Sequence, residues 1–382
     1  MKYDVCIIGA GVIGASVARE LAKYNLKTVV LEANPSFAQE TSQGNSGLIH
    51  GGFDPKPEKI NAKLNQEGKK LFAEHWFKEL DFKHAPVNSI VLAFNEAEEK
   101  NLEELIQRGI KNGCTEQEIK IINQDVLQKL EPNINPNVKK ALLCTSSVVL
   151  DPVELTGVLL KNAIKNGTEV KFSEKVIGIE KPSDFKITTN KGVYEAKVII
   201  NCAGHYADEI AKLAGYPDFE LTTKRGEYIV LNQTKANSVN NVLFMVPDIH
   251  GKGVIVAPTL TGKVLVGPTA VDGVPKDETR LITREMEDHI KAIGLKIIPG
   301  LDMSKICLRF SGSRPIYKET DDFYIKTAKA DQNFINVAGM KSPALSAAPA
   351  IAAMVEKMLG AVLPLDPKAN WDRFEKNVFY NS

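Results

Sequence analysis

Gly9, Gly11 and Gly14 stand in the spacing G-x-G-x-x-G, and Glu32 follows eighteen residues after the last of them. Each residue type has a chemical reason to be there. The first glycine permits a tight turn, and the second lets a pyrophosphate approach the backbone of Gly11, Val12 and Ile13. The third allows a helix to pack closely on a strand. An acid at that distance can accept hydrogen bonds from ribose hydroxyls. The pattern describes a dinucleotide site; alone it leaves FAD and NAD both open, and its place near the N-terminus favours FAD. Thr41, Ser42, Ser46, Gly47 and Leu48 then belong to a small-residue loop that leads to His50. Small residues let backbone amides close around a pyrophosphate or a flat ring system. An imidazole titrates near neutrality and can take up a proton. Arginine is scarce in this lysine-rich chain. Arg314, between Ser313 and Pro315, offers a planar fork for an oxyanion, and Lys252 offers a point charge.

These groups need elements to hold them. Asp4–Ile8 is a short apolar run of the kind buried on both faces of a sheet, and helical spacing follows over Ala15–Tyr24. Lys27–Leu31 reads as a second strand ending at Glu32, which completes a strand–helix–strand unit. Further helices are expected at Ile60–Lys78, Glu96–Asn112 and Asn123–Leu130, and at Asp151–Asn166 with Asp151 as the N-cap. Val170–Glu180 and Phe185–Thr189 read as strands. From about 221 to 325 the pattern turns strand-rich, with Glu227–Asn232, Asn241–Val246, Gly253–Pro258 and Lys263–Val266. Phe334–Val337 and a helix after Pro343 return to the first pattern.

The bulk composition excludes several classes. With 382 residues, 43% hydrophobic and 25% charged, the chain has a formal net charge of +1. That balance supports neither nucleic-acid binding nor broad attachment to an anionic membrane. The apolar stretch Val5–Ala18 is too short to span a bilayer and has no cleavage site, so no secretory signal or integral membrane segment is expected. Peripheral association is left open. The five cysteines lack C-x-x-C spacing, which suggests neither zinc nor disulfides, and Cys6 and Cys202 read as small core residues. A reduced, cytoplasmic protein is expected, as a monomer or small oligomer.

The loop Asn45-Ser46-Gly47-Leu48-Ile49-His50-Gly51-Gly52 resembles the glycine/D-amino-acid oxidase superfamily of flavoproteins, and within it the compact bacterial glycerophosphate oxidases. Ordered similarities continue along nearly the whole chain. Cys202-Ala203-Gly204 resembles the element where the family's chain passes the cofactor again, with Cys-Ala in place of Ala-Thr. Lys224-Arg225-Gly226-Glu227-Tyr228, His250-Gly251-Lys252-Gly253, Gly267-Pro268-Thr269 and Gly312-Ser313-Arg314-Pro315 are similar to successive segments of the substrate lobe. Gly339-Met340-Lys341-Ser342-Pro343 looks like the loop and helix start that meet the flavin pyrimidine. The family implies an α/β fold: a discontinuous Rossmann-like FAD-binding domain (1–82, 143–220 and 325–382) with an inserted, mostly antiparallel substrate or cap domain (83–142 and 221–324).

The resemblance also implies roles. FAD, held noncovalently, would contact Gly9, Gly11, Val12, Ile13, Gly14 and Glu32, then Thr41, Ser42, Ser46, Gly47 and Leu48. Later contacts would be Val176, Ala203, Gly204, Gly312, Gly339, Met340, Lys341, Ser342, Leu345 and Ser346. His50 would be the base that takes the hydroxyl proton while hydride passes from C2 of sn-glycerol 3-phosphate to flavin N5. Arg314, Lys252 and Ser346 would hold the substrate, and Arg225 would either hold it or bridge the lobes. The dehydrogenases that pass electrons to quinone carry an extra C-terminal region, whereas this chain ends at Ser382. Direct reoxidation by O2, giving H2O2, is therefore expected. Alternatives are an L-2-hydroxyglutarate dehydrogenase or oxidase, and a glycerol-3-phosphate dehydrogenase with another acceptor. A flavin-binding protein without turnover fits less well.

Overall fold

The computed structural model describes residues 2–246 and 253–376. Among these the chain forms an eight-stranded sheet and a ten-stranded sheet. The first carries the strand–helix–strand unit. Its central strand, Lys2–Ile8, pairs in parallel with Thr28–Leu31 on one side and with Val193–Asn201 on the other. Asp331–Ala338 extends the sheet in parallel beyond Val193–Asn201, and Glu169–Lys171 extends it beyond Thr28–Leu31. Val5 and Ile7 enter one hydrophobic cluster, with the helices Val12–Leu21, Pro152–Lys165 and Ala344–Gly360. Tyr3, Cys6 and Ile8 enter another on the opposite face. A strand covered on both faces must be apolar at consecutive positions, which is why its sequence is a run rather than an alternation.

The second sheet is mostly antiparallel. Leu221–Leu231 lies between Val264–Gly267 and the long strand Ile306–Tyr317, and His84–Ala93 pairs with Lys140–Leu150. One parallel pairing, Val242–Met245 with His84–Ala93, joins the two groups. Leu48–Ile49, just before His50, pairs with Lys140–Leu150, so the His50 loop is anchored to this sheet.

Several expected elements differ in detail. The single strand expected at Val170–Glu180 is two, Glu169–Lys171 and Val176–Glu180. Between them the chain turns through Ser173 (φ +57°), and the N–H groups of Ser173 and Glu174 donate to the carbonyls of Asn34 and Glu32. Residues 60–79 are helical, as expected, but Phe72–Trp76 winds as a π-helix. Asn123 caps the helix Gln124–Leu130 and is not its first residue. Asp151 is the N-cap, its carboxylate accepting from the N–H groups of Val153 and Glu154. The strands His84–Ala93, Ile119–Asn123 and Lys140–Leu150 lie where the sequence showed only a mixed, charged stretch, and the helix Arg284–Ile297 was also missed. Among the described residues no helix is long and apolar enough to cross a membrane.

Candidate active site

A cavity of about 390 Å³ opens between the two sheets. Two helices present their N-terminal ends to it, Val12–Leu21 through Gly11, Val12 and Ile13, and Ala344–Gly360 through Ala344 and Leu345. Free N–H groups and the helix dipole favour negative charge at such ends. At the first of them the glycine pattern has a steric cause. A Cβ on Gly9 (φ +106°) would lie 2.5 Å from the Cys202 carbonyl oxygen, and one on Gly14 would lie 2.0 Å from that of Gly9. A Cβ on Gly11 would stand 3.1 Å from Ser42 Oγ, in the cradle itself. Ser42 Oγ accepts the Val12 N–H at 2.9 Å and so holds the small-residue loop against the helix start. This cradle fits a pyrophosphate, and the second helix end fits the electron-rich edge of a flavin ring.

His50 lies on the cavity wall, fixed at both ends. Its backbone N–H donates to Ser346 Oγ at 2.9 Å, and its Nε2 is 2.9 Å from Ser342 Oγ. Lys341 lines the cavity too, its ammonium 2.5 Å from the Asp321 carboxylate. Opposite stands one face of the second sheet. Lys224, Gly226 and Tyr228 alternate along one strand, and Arg314, Gly312 and Phe310 face them on the next, in direct register. Arg314 is hydrogen-bonded to Tyr228. Burial pushes the Tyr228 phenol up, while the guanidinium pulls the other way. Tyr228 also stacks on Phe310, ring centroids 4.6 Å apart. Gly312 and Gly44 cross so closely that a Cβ on Gly312 would be 2.0 Å from the Gly44 carbonyl oxygen.

Thr41 ties three segments together. Its hydroxyl donates to the Ser313 carbonyl at 2.8 Å and lies 3.1 Å from Nε2 of His205. His205 is only 2% exposed, and burial, with Lys276 nearby, lowers its pKa to about 4.

Of the residues singled out in the sequence, Gly11, Val12, Ile13, Thr41, Ser42, Ser46, Leu48, His50, Gly204, Gly312, Arg314, Met340, Lys341, Ser342 and Leu345 line the cavity. Gly9, Gly14, Gly47, Ala203 and Gly339 lie beside it and shape the backbone. Others are placed differently. Ser346 is fully buried behind His50 and does not line the cavity, because its hydroxyl is committed to the histidine N–H. Val176 is packed in the core with Tyr3, Ile8 and Leu31 and does not reach the wall. The Glu32 carboxylate accepts from the Ala10 N–H at 2.7 Å and from Asn34, at the edge of the nucleotide cradle. Lys252 lies outside the described residues. Arg225 is buried and pairs with Glu227 at 3.1 Å within the second sheet, so it does not face the cavity. His84 begins a strand and stacks on Phe77. Lys224, Tyr228, Thr269 and Asp321 line the cavity without having been singled out individually. The alternation of Lys224, Gly226 and Tyr228 was the available signal for two of them, since side chains two apart share a face.

A model of the FAD dependent oxidoreductase family, DAO, matches residues 4–358. The chain belongs to that family. This FAD-dependent oxidoreductase is 42% identical to glycerol 3-phosphate oxidase of Mycoplasma genitalium, over 97% of each chain. It is 38% identical to a glycerol 3-phosphate dehydrogenase of Caloramator mitchellensis, over 98% of this chain and 78% of the other. The structure of dithionite-reduced L-α-glycerophosphate oxidase from Mycoplasma pneumoniae with FAD bound superposes with a TM-score of 0.95 at 41% identity. The match covers 98% of this chain and 99% of that one. The Rossmann-like FAD-binding fold with an added sheet, expected from the family resemblance, agrees with that likeness.

Proposed function

We propose that this oxidoreductase converts sn-glycerol 3-phosphate to dihydroxyacetone phosphate by oxidation at C2, with O2 as the final acceptor and H2O2 as the second product. FAD, when bound, supplies the hydride acceptor and the route to oxygen. The observation that carries the reading is that His50, Arg314 and two helix N-termini share one cavity. The names of the relatives at 41–42% identity support the substrate.

The chain's own residues then divide the work. Gly11, Val12, Ile13 and Ser42 hold the pyrophosphate, and residues 341–345 meet the ring's pyrimidine edge. His50 takes the substrate's hydroxyl proton on its imidazole. Ser342 and Ser346 fix that imidazole from its ring and from its backbone, so the base is oriented before substrate arrives. Arg314 holds the phosphate through charge-assisted hydrogen bonds, and Tyr228 keeps its guanidinium turned to the cavity. Residues 1–82, 143–220 and 325–382 serve the nucleotide, and 83–142 with 221–324 cap the substrate. FAD is held noncovalently: Ser313 stands near the place where the family resemblance puts a flavin-attaching cysteine. Anaerobic bleaching of the bound flavin by sn-glycerol 3-phosphate tests the reading.

A further inference from the structure

Lys224 and Arg314 are directly opposed partners on neighbouring antiparallel strands, and both side chains line the cavity. Like charges in that relation repel, and a sheet tolerates them only where something neutralises them. The nearest carboxylate does so poorly. Asp272 lies 3.2 Å from the Lys224 ammonium, but its side chain is 68% exposed against 27% for the lysine, so the ion pair is solvent-screened. No carboxylate among the described residues pairs with Arg314. Lys341, the other described cation on the wall, is engaged by Asp321. Lys224 and Arg314 therefore bring two cations to one patch of the cavity lining, while Asp272 lies outside that lining, and an oxyanion with charge on more than one oxygen is the ligand that suits the pair.

We propose that Lys224 is a further phosphate-binding residue, which with Arg314 forms a two-cation clamp for a phosphate monoester, and that Asp272 holds the ammonium in place when the clamp is empty. The proposal rests on the reading of Arg314 as the phosphate-holding residue. Arg314 supplies the planar fork and Lys224 a point charge from the adjacent strand, so the phosphate meets both on one face of a rigid sheet. Releasing Lys224 from Asp272 is part of binding, so removing the Asp272 charge strengthens the clamp.

Calorimetric titration of the FAD-loaded enzyme with inorganic phosphate tests this, with flavin content and thermal midpoint as controls for folding. Lys224→Met is expected to weaken phosphate binding by about tenfold, as loss of one charge-assisted contact does. The KM for sn-glycerol 3-phosphate should rise in parallel while kcat stays within about twofold. Asp272→Asn is expected to tighten phosphate binding, and it decides the matter if Lys224→Met does not fold. An unchanged phosphate affinity in Lys224→Met, or in Asp272→Asn should that variant alone be available, overturns the proposal. So does a wild-type enzyme that binds no phosphate. Phosphate binding by the clamp without flavin bleaching by sn-glycerol 3-phosphate would leave the clamp standing and remove the reaction assigned above.

Discussion

Ser346, buried in the first turn of the last helix, accepts the backbone N–H of His50 at 2.9 Å. The contact joins a loop anchored to the ten-stranded sheet to a helix that packs on the other sheet, behind the cavity wall. It places the imidazole by its main chain, while Ser342 addresses Nε2. If the imidazole is the base, His50→Ala lowers kcat by roughly 10²–10⁴-fold, the range for loss of a positioned proton acceptor. FAD binding should survive, since the cradle lies at the other helix end. Stopped-flow reduction of the flavin measures this; an unchanged reduction rate in the FAD-loaded variant would remove His50 from the role.

The buried His205 sets a pH dependence of stability. In the fold its pKa is lowered from 6.5 to about 4, first by burial and then by Lys276. The unfolded ring therefore binds a proton more readily than the folded one. Stability from this group is complete above pH 6.5 and is lost as pH falls towards 4, with a total on the order of 3 kcal/mol. His205→Gln should flatten the fall of the thermal midpoint across that window. An equally steep fall in the variant would show that other groups set it.

The crossing of Gly44 and Gly312 admits no side chain. With a Cβ 2.0 Å from a backbone oxygen, Gly312→Ala must displace one of the two segments. Overpacking of this kind costs about 1–3 kcal/mol. The thermal midpoint should drop and flavin content should fall with it, because the displaced loop carries Ser42. A variant with wild-type midpoint and flavin content would mean that the crossing is looser than described.

The cap strand carries Ser313 beside Arg314, and the thiol of Cys307 lies on the same strand away from the cavity. Acid precipitation should therefore release the flavin into the supernatant. A yellow pellet after washing would show a covalent link.

The nucleotide half was legible because its constraints are local. A doubly covered strand needs a continuous apolar run, and the tight turn and the close helix need glycines at fixed spacing, so Lys2–Ile8, Gly9 and Gly14 could be read directly. The cap was less legible because its strands pair with partners far along the chain. His84–Ala93 finds Lys140–Leu150 and Val242–Met245 only in the fold, and its sequence lacks clean alternation because both faces are covered over much of its length. Ser346 shows the same limit at the site. A serine in a first helical turn could face ligand or protein, and what decides is His50, distant in sequence. Lys224 stood inside a string already noticed, but its relation to Arg314 is a property of strand register, which the string does not contain.

The central claim is the reaction, and one experiment addresses it most directly. The purified FAD-loaded protein is mixed anaerobically with sn-glycerol 3-phosphate while the flavin absorbance near 450 nm is followed, and air is then admitted with an assay for H2O2. Rapid bleaching, then recovery of colour with one peroxide per flavin, is the predicted result. No bleaching with sn-glycerol 3-phosphate, followed by bleaching with L-2-hydroxyglutarate, would contradict the account and leave only the fold and the flavin in place.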